Sequence, residues 1–418
     1  MAVISADDEV VITPDRTSLK TKLRRAERIN RARSLTLVLP LLLFVLAVFV
    51  LPIALMLMRS VENTEVRETL PKTITALDGW DGKETPGEPV FAAFAADLVQ
   101  TQKDRTTALV GKRINYEIPG ARSRFLKAGR LVDAESAGPW KEKFIASDEG
   151  LGSVEFWAIM KRAGATVTPY YLLTSLDLRQ DATGAVTKIF PDQAIFIDIF
   201  LRTIWISLLV TLVTLVLGYP VAHLLAILPA KYANVLMILV LLPFTTSILV
   251  RTTAWIVLLQ TNGVINDILI ALHLTAERMQ LIFNRFGTVL AMTHIQLPFT
   301  ILPIYSVMKS IPASHVRAAR SLGAGPLTAF VSVYLPQTLP GVGAGCLLTF
   351  ILSLGYYITP ALVGGPQDQM VSYFVALYTN REMNWGQAAA LGGILLFITL
   401  ALYAVFNRVV GIDKVKLG

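Results

Sequence analysis

Six stretches of the chain are almost continuously apolar, and each is long enough to cross a bilayer. The first runs from Ser34 to Met58, and the other five lie near residues 196–226, 232–260, 286–308, 339–359 and 387–409. A helix needs about 20 apolar residues to span the hydrocarbon core of a membrane. The pattern therefore predicts an all-α membrane protein with six transmembrane helices.

Residues 59–194 have a different pattern and contain no spanning run. The segment Phe91–Ile114 has its apolar residues at helical spacing. The stretch YYLLTSLDL, followed by RQDATG and AVTKIF, predicts a β-hairpin with its turn near Asp181–Gly184. Trp80, Trp140 and Trp157 are available for a core. We therefore predict a small α+β domain inserted between the first and second spans.

Composition and charge support a membrane protein and suggest its orientation. The chain has 418 residues, is 54% hydrophobic and only 16% charged, and has a net charge of +8 and a mean hydropathy of +0.56. A soluble domain is usually about a quarter charged. A basic cluster at Arg24, Arg25, Arg28, Arg31 and Arg33 precedes the first span. Since positive residues stay in the cytoplasm, both termini are predicted to be cytoplasmic and the 59–194 insert to lie outside.

Several function classes find no support in the sequence. Basic residues do not alternate with stacking aromatics, so no nucleic-acid partner is expected. The single Cys346 allows no disulfide framework, and the four scattered histidines give no metal set. No paired carboxylates or Ser/His/Asp set can be assembled at membrane depth, which argues against an intramembrane enzyme. These histidines are His223, His273, His294 and His315.

Ionisable residues inside the spans are few, and they are usually functional because they are costly there. Arg251 lies in TTSILVRTTAW. It is either an interfacial anchor beside Trp255 or a positive lining of a solute path. Polar residues near it and in the fifth span are candidates for the same lining, although hydroxyls in spans often bond to their own helix. These candidates are Thr245, Thr246, Ser247 and Ser353.

The loop 309–338 between the fourth and fifth spans carries a short basic helix, RAARSLGAG. Ser314 is predicted to cap its N-terminus, and Gly323 with Gly325 to end it. Pro336 is predicted to fix the turn back into the membrane. The helix suits a socket on another protein, but Arg317 and Arg320 would equally suit a helix lying on lipid. The physical arguments support docking on another protein and lying on lipid equally well.

The spacing of this loop resembles the EAA loop of inner-membrane permeases of ABC importers. That motif has E-A-A, three residues, Gly, nine residues and I-x-L-P; here it is Arg317-Ala318-Ala319, Gly323 and Val333-x-Leu335-Pro336. In the family this loop forms the coupling helix that docks on an ATPase subunit. The chain departs from the motif at Arg317, where the family has Glu. Its contacts with the ATPase are therefore expected to differ.

Three further stretches resemble the spermidine/putrescine-type branch of these permeases: GYPVAHLLA, LLPFTTSILVRTTAW and YYITPALVGGPQDQM. The resemblance covers roughly residues 195–410 and gives little for 60–190. Many polyamine permeases would be expected to have an acidic residue at the position that Tyr356 occupies here, directly after Gly355. Polyamine is therefore the family default for the solute, while opines, amino-acid derivatives and other small solutes remain open.

The resemblance implies a type I ABC importer core, alternating access and no catalytic residue, metal or cofactor on this chain. ATP and magnesium would bind a separate ATPase dimer. A periplasmic solute-binding protein, a second permease subunit and membrane lipid are the other expected partners, in a bacterial inner membrane. A secondary carrier, or a membrane-anchored sensor using the insert, is the alternative.

The predicted organisation is a cytoplasmic tail (1–34), a first span (35–58), the insert (59–194), a five-helix core (195–410) with coupling loop 309–338, and a cytoplasmic tail (411–418). The expected docking residues are Ser314, His315, Val316, Arg317, Ala318, Ala319, Arg320, Gly323 and Pro336. The expected path residues are Arg251, Thr245, Thr246, Ser247, Ser353 and Tyr356.

Overall fold

The computed structural model of the chain describes residues 19–134, 138–181 and 183–410. The predicted tail 411–418 and the first 18 residues of the predicted tail 1–34 lie outside the described residues. The chain divides into two compact units, Met1–Met58 and Arg59–Gly418.

The described part of the first unit, from Leu19 onward, is one long helical stretch. It comprises α1 (Leu19–Val45), a π-helical turn (Leu46–Val50) and α2, which runs to the start of the second unit (Leu51–Arg59). Within it, Glu27–Arg59 is long and apolar enough to span a membrane. Its leucines are largely exposed, Leu37 to 83%. So much apolar surface is stable only in contact with lipid or with other apolar chains.

The insert is a helical domain built around an aromatic core. Phe91, Phe94, Phe125, Phe144 and Trp157 are fully buried against one another, mostly in edge or tilted contacts. These rings supply most of the apolar area that holds the domain together. Its helices are α3 (Glu65–Thr69), α4 (Pro71–Asp78), α5 (Glu88–Lys103), α6 (Thr107–Asn115), α7 (Ala121–Ala134), α8 (Trp140–Ser147), α9 (Val154–Ala163) and α10 (Tyr170–Thr174).

The predicted hairpin is present, but the insert is otherwise helical rather than α+β. Strands β1 (Leu178–Gln180) and β2 (Val186–Lys188) pair antiparallel, and they form the only sheet of the described residues. The Asp181 carboxylate closes the turn by accepting from the Thr183 and Ala185 N–H groups. The turn near Asp181–Gly184 is where the sequence placed it, but β1 begins only at Leu178, and Tyr170–Thr174, predicted as part of the first strand, forms α10.

All secondary-structure elements of residues 196–410 are helices. These are α11 (Phe196–Ile227), α12 (Ala230–Leu241), a 3₁₀ turn (Leu242–Thr245), α13 (Ile248–Leu259), α14 (Val264–Ala271), α15 (Arg285–Ser310), α16 (Ala313–Ser321), α17 (Pro326–Ala329), a π segment (Phe330–Tyr334), α18 (Leu335–Leu354), α19 (Ile358–Val363), a 3₁₀ turn (Pro366–Asp368), α20 (Val371–Asn380) and α21 (Trp385–Val410).

Six helical segments of the described residues are long and apolar enough to cross a membrane, the number predicted from the sequence. They are Glu27–Arg59, Phe196–Ile227, Ile248–Ala271, Arg285–Ser310, Pro326–Leu354 and Trp385–Arg408. The third and fifth differ from expectation. The predicted run 232–260 is broken at Thr246 and Ser247, where the backbone is extended. The fifth span begins at Pro326, so the second half of the predicted coupling loop is already helical.

Three helices, α11, α15 and α18, form the centre of the second half through small residues and hydroxyl groups. The Thr300 hydroxyl on α15 bonds Thr214 on α11 (3.0 Å) and Thr349 on α18 (2.6 Å). Gly345 lies so close to the Thr300 carbonyl that a Cβ there would be 2.7 Å from its oxygen. Small residues and interhelical hydrogen bonds replace the hydrophobic effect as the cause of helix association in lipid. The three helices therefore provide a rigid frame for the loop that follows α15.

Candidate functional site

The helix α16 begins two residues earlier than its sequence suggests, with Pro312 and not Ser314 as the N-cap. Pro312 has the extended backbone of an N-cap residue, and Ala313 is the first helical residue. Ser314 is therefore already inside the first turn, so its predicted capping role is wrong. A capping side chain must come from the residue whose backbone is not yet helical, and here that residue is a proline, which has no side-chain acceptor.

The end of α16 is a well-formed Schellman motif at the predicted glycine. Gly323 has φ +93°, its N–H donates to the Arg320 carbonyl, and the Ala324 N–H donates to the Ala319 carbonyl. This left-handed conformation is costly for residues with a Cβ. Gly323 therefore ends α16 sharply, and Leu322 beside it is left 89% exposed.

The two faces of α16 have different surroundings. Ala313, Val316, Arg317 and Arg320 lie along a groove between α16 and the rest of the chain, whereas Ala318 and Leu322 do not. Val316 packs with the cluster that contains Met308. The face with Ala318 and Leu322 is small, apolar and exposed, as a surface that meets another protein closely would be.

A short hydrogen-bond chain holds α16 against the fifth span. A nitrogen of the His315 ring lies 2.8 Å from the Gln337 side-chain oxygen, and the Gln337 amide donates to the Val333 carbonyl. A movement of α16 would therefore pull on the start of α18.

Pro336 does not form the predicted turn. It lies in the first turn of α18, directly after the π segment Phe330–Tyr334, in which the Leu335 N–H donates to the Phe330 carbonyl. Proline has no N–H and its ring clashes with the carbonyl four residues earlier. A wider π turn at this point leaves room for the ring, so the helix continues.

The structure places the candidate path residues in three groups. The charge of Arg251 on α13 interacts with the Tyr356 side chain. The Arg251 Nε is buried and has no hydrogen-bond partner among the described residues. The Ser353 hydroxyl on α18 donates to the Gln296 side chain at 2.8 Å. The third group is Thr245, Thr246 and Ser247 at the helix break.

The hydroxyls of Thr245 and Thr246 bond to backbone carbonyls of their own turn, at Leu242 and Pro243. Their side chains, and that of Ser247, are exposed. Extended backbone between two helices at membrane depth is tolerated where protein or a water-filled cavity surrounds it. The break at Thr246 and Ser247 is therefore better evidence for a polar path than the hydroxyls themselves.

Sequence analysis missed two polar side chains of α15, Gln296 and His294. Gln296 is buried on α15 and its Nε2 has no partner among the described residues. His294, two residues before Gln296 on the same helix, accepts from the Trp255 indole N–H at 3.2 Å and interacts electrostatically with Arg251. The stretch MTHIQLPFT, with an imidazole and an amide inside an apolar run, could have indicated them.

The insert is attached to the ends of two spans, α11 and α21. The Gln387 amide on α21 donates to the Ser175 hydroxyl at 2.8 Å, and both side chains are buried. Gly386 lies against the Tyr171 ring so closely that a Cβ would overlap it. The Asp177 carboxylate accepts from the N–H groups of Ile195, Phe196 and Ile197. It thus caps α11 from outside the helix.

A buried arginine supports this attachment. The Arg113 Nε donates to Asn63 at 2.8 Å, its NH1 pairs with Glu117, and its guanidinium stacks on the Tyr170 and Tyr171 rings. Burial lowers the pKa of Arg113, but Tyr171 and Glu117 outweigh it and leave the pKa above its ordinary value. Burial raises the pKa of Tyr171 to about 12. Both groups therefore keep their charge state at physiological pH.

Comparison with known proteins gives three similarities. The family described as "Binding-protein-dependent transport system inner membrane component" matches residues 214–412. The chain is 31% identical over 214 residues to the spermidine/putrescine transport system permease protein PotB of Escherichia coli (strain K12), covering 51% of this chain and 78% of that protein. It is 32% identical over 236 residues to the inner membrane ABC transporter permease protein YdcU of the same strain, covering 51% and 72%.

Among solved structures, the chain is similar to a chain of a bacterial ABC transporter involved in the import of the acidic polysaccharide alginate. The TM-score is 0.44 at 17% identity, covering 53% of this chain and 80% of that chain. The family match begins at residue 214, so the insert and the first span lie outside it.

Proposed function

The chain belongs to the family of binding-protein-dependent transport system inner membrane components, and we propose that it passes a polyamine into the cell as one permease subunit of an ATP-driven importer. The relationship to the PotB permeases supports the solute. The observation that carries the mechanism is α16, a short helix with a sharp glycine end, an exposed apolar face and a hydrogen-bonded tie to α18.

The transport cycle we propose is alternating access. Two ATPase subunits bind ATP and magnesium and close on each other, and each moves the coupling helix of one permease. This chain contributes α16, and a second permease subunit, either a paralogue or a second copy, contributes the other. The His315–Gln337 contact would pass the movement of α16 to α18. The loop containing α16 and both termini lie in the cytoplasm, and the insert lies in the periplasm.

The solute path we propose runs past Arg251, Tyr356, Ser353 and the break at Thr245–Ser247. Residues 242–259, 285–310 and 335–363, which carry these side chains, contain no Asp or Glu, so they offer an amine aromatic, amide and hydroxyl groups beside the Arg251 guanidinium. Selection of a polyamine would then rest mainly with the periplasmic solute-binding protein, which delivers the solute to the outer mouth.

The insert is proposed to receive this binding protein. Its contacts with α11 and α21, through Asp177 and through Ser175 with Gln387, would make it a rigid part of the outer surface. Its surface has an open groove of about 770 Å³ lined by residues of both charges, among them Glu68, Lys72 and Asp104. A mixed polar groove suits a reversible contact with another protein.

Purification of the chain from native membranes tests the coupling role. We expect an ABC ATPase to be retained with the wild type and lost with Ala318→Asp, since a carboxylate on the exposed small face would be buried without a partner. Thr328→Asp, which changes another exposed residue, on α17 beyond Gly325, is the control and should retain the ATPase. Absence of any ATPase from the wild-type complex would overturn the proposal.

A further inference from the structure

The groove beside α16 has a volume of about 600 Å³ and lies where three membrane spans end. It is lined by the last residues of α11 (Ala226 and Ile227), the end of α15 (Met308 and Lys309) and the start of the fifth span at Pro326. Span ends are at the depth of the lipid headgroups. The groove therefore opens at the membrane surface and not within a soluble domain.

The floor of the groove is apolar and aromatic. Phe330 and Tyr334 stack with ring centroids 5.6 Å apart, and the His223 ring meets Tyr334 edge-on at 5.2 Å. Met308 is buried beneath them, and Val316 closes the side formed by α16. The His223 Nδ1 is buried without a hydrogen-bond partner in the described chain. Such a floor accepts hydrocarbon but leaves one polar atom unsatisfied.

The rim of the groove is positive. Lys309, Arg317 and Arg320 line it, all three are exposed, and no carboxylate of the described residues pairs with them. The whole loop 309–338 contains no Asp or Glu. Arg317 and Arg320 are one turn apart on the same face of α16, a spacing at which two guanidinium groups can hold one phosphate.

We propose that this groove binds one anionic phospholipid, with its phosphate between Arg317 and Arg320 and an acyl chain on the floor formed by Phe330, Tyr334 and Val316. Basic pockets between spans at a cytoplasmic surface bind such headgroups. The lipid would explain why a base occupies position 317, where the family motif has an acid. The inference rests on the proposed function only in placing α16 at the cytoplasmic leaflet.

Lipid binding is separable from ATPase docking because the two use opposite faces of α16. The groove face carries Arg317 and Arg320, and the exposed face carries Ala318 and Leu322. A lipid in the groove would support α16 from the membrane side while the ATPase contacts its other side. Anionic lipid would then be needed for a firm connection between the ATPase and the spans.

Native mass spectrometry of the purified complex tests the proposal, with phosphatidylglycerol and phosphatidylcholine of the same acyl chains as probes. We expect the wild type to bind one phosphatidylglycerol in preference to phosphatidylcholine. The double variant R317Q/R320Q should bind phosphatidylglycerol about thirtyfold more weakly. R408Q removes an exposed arginine from the end of another span and should bind like the wild type.

Other results would overturn the lipid assignment. One is equal binding of the two lipids by the wild type. Another is unchanged phosphatidylglycerol binding in R317Q/R320Q together with loss of the ATPase, which would assign the arginines to an acidic contact on that subunit. The conservative variant R317K/R320K, which keeps the charge, controls for folding and should bind more tightly than R317Q/R320Q. Ala318→Asp should keep its lipid whether or not an ATPase is retained, so the two proposals fail independently.

Discussion

At the scale of single residues, two glycines of the same loop have opposite requirements. Gly323 has φ +93°, whereas Gly325 has φ −65° and open space where a Cβ would be. Only the first needs the absence of a side chain. The sequence GAG presents them as equivalent, and the backbone of the Schellman motif distinguishes them.

We expect Gly323→Ala to loosen the end of α16 by about 1–2 kcal/mol, the cost of a left-handed backbone for a residue with a Cβ. The amide N–H groups of Gly323 and Ala324 should then exchange with solvent about tenfold faster. The exchange is measured on the peptide that covers residues 318–326. Gly325→Ala is the matched control and should leave the exchange unchanged. Equal exchange in both variants would mean that the motif does not hold the helix end.

At the scale of elements, the junction between α10 and α21 decides how the insert is carried. Tyr171 occupies the space beside Gly386, and the next residue of α21, Gln387, bonds to Ser175, four residues after Tyr171, in a buried position. This contact was not predicted, because nothing in the sequence of 170–175 or 385–387 indicates that the two segments meet.

We expect Gly386→Ala to destabilise the junction by about 1–3 kcal/mol, because the new methyl group overlaps the Tyr171 ring. Gly392→Ala lies on the same helix with open space around it, and there the change should be neutral or stabilise by up to about 1 kcal/mol. Limited proteolysis of the insert in membranes measures the difference. Equal protection of the two variants would show that the insert is not held through α21.

At the scale of the whole molecule, the insert is a domain whose two ends meet. The Asn63 N–H donates to the Thr166 carbonyl at 2.9 Å, and the Thr168 N–H donates to the Val61 carbonyl at 2.8 Å. The chain therefore enters and leaves the helical part of the insert, residues 64–165, at the same place. Removal of this part need not separate Asp177 or Ser175 from the spans.

We expect replacement of residues 64–165 by a short Gly-Ser linker to leave membrane insertion intact and to impair capture of the loaded binding protein. Uptake of labelled spermidine and putrescine should then need a higher concentration of binding protein for half-maximal rate, with the maximal rate less affected. A deletion of 64–188 also removes Asp177 and the Ser175 contact, and should lower the maximal rate as well. Unchanged uptake kinetics in the shorter deletion would refute the docking role.

The sequence by itself determined the class of the protein, the number of spans, the hairpin turn near Asp181–Gly184 and the position of the short helix α16. These depend on local properties: apolar length, alternation, a glycine at a helix end and fixed motif spacing. Such features need no knowledge of what lies opposite in space. The same holds for family membership, since the motif is read along one chain.

Only the tertiary structure decided which face of α16 carries Arg317, where the third span breaks, and what the insert touches. These depend on residues far apart in sequence, such as Ser175 with Gln387 or His223 with Tyr334. The misplaced predictions have a local cause instead. Pro312, and not Ser314, has the extended backbone of the N-cap of α16. Pro336 lies inside a continuous helix because a π turn precedes it. In each case the backbone of a neighbouring residue or turn, which the sequence pattern does not specify, decided where the helix begins.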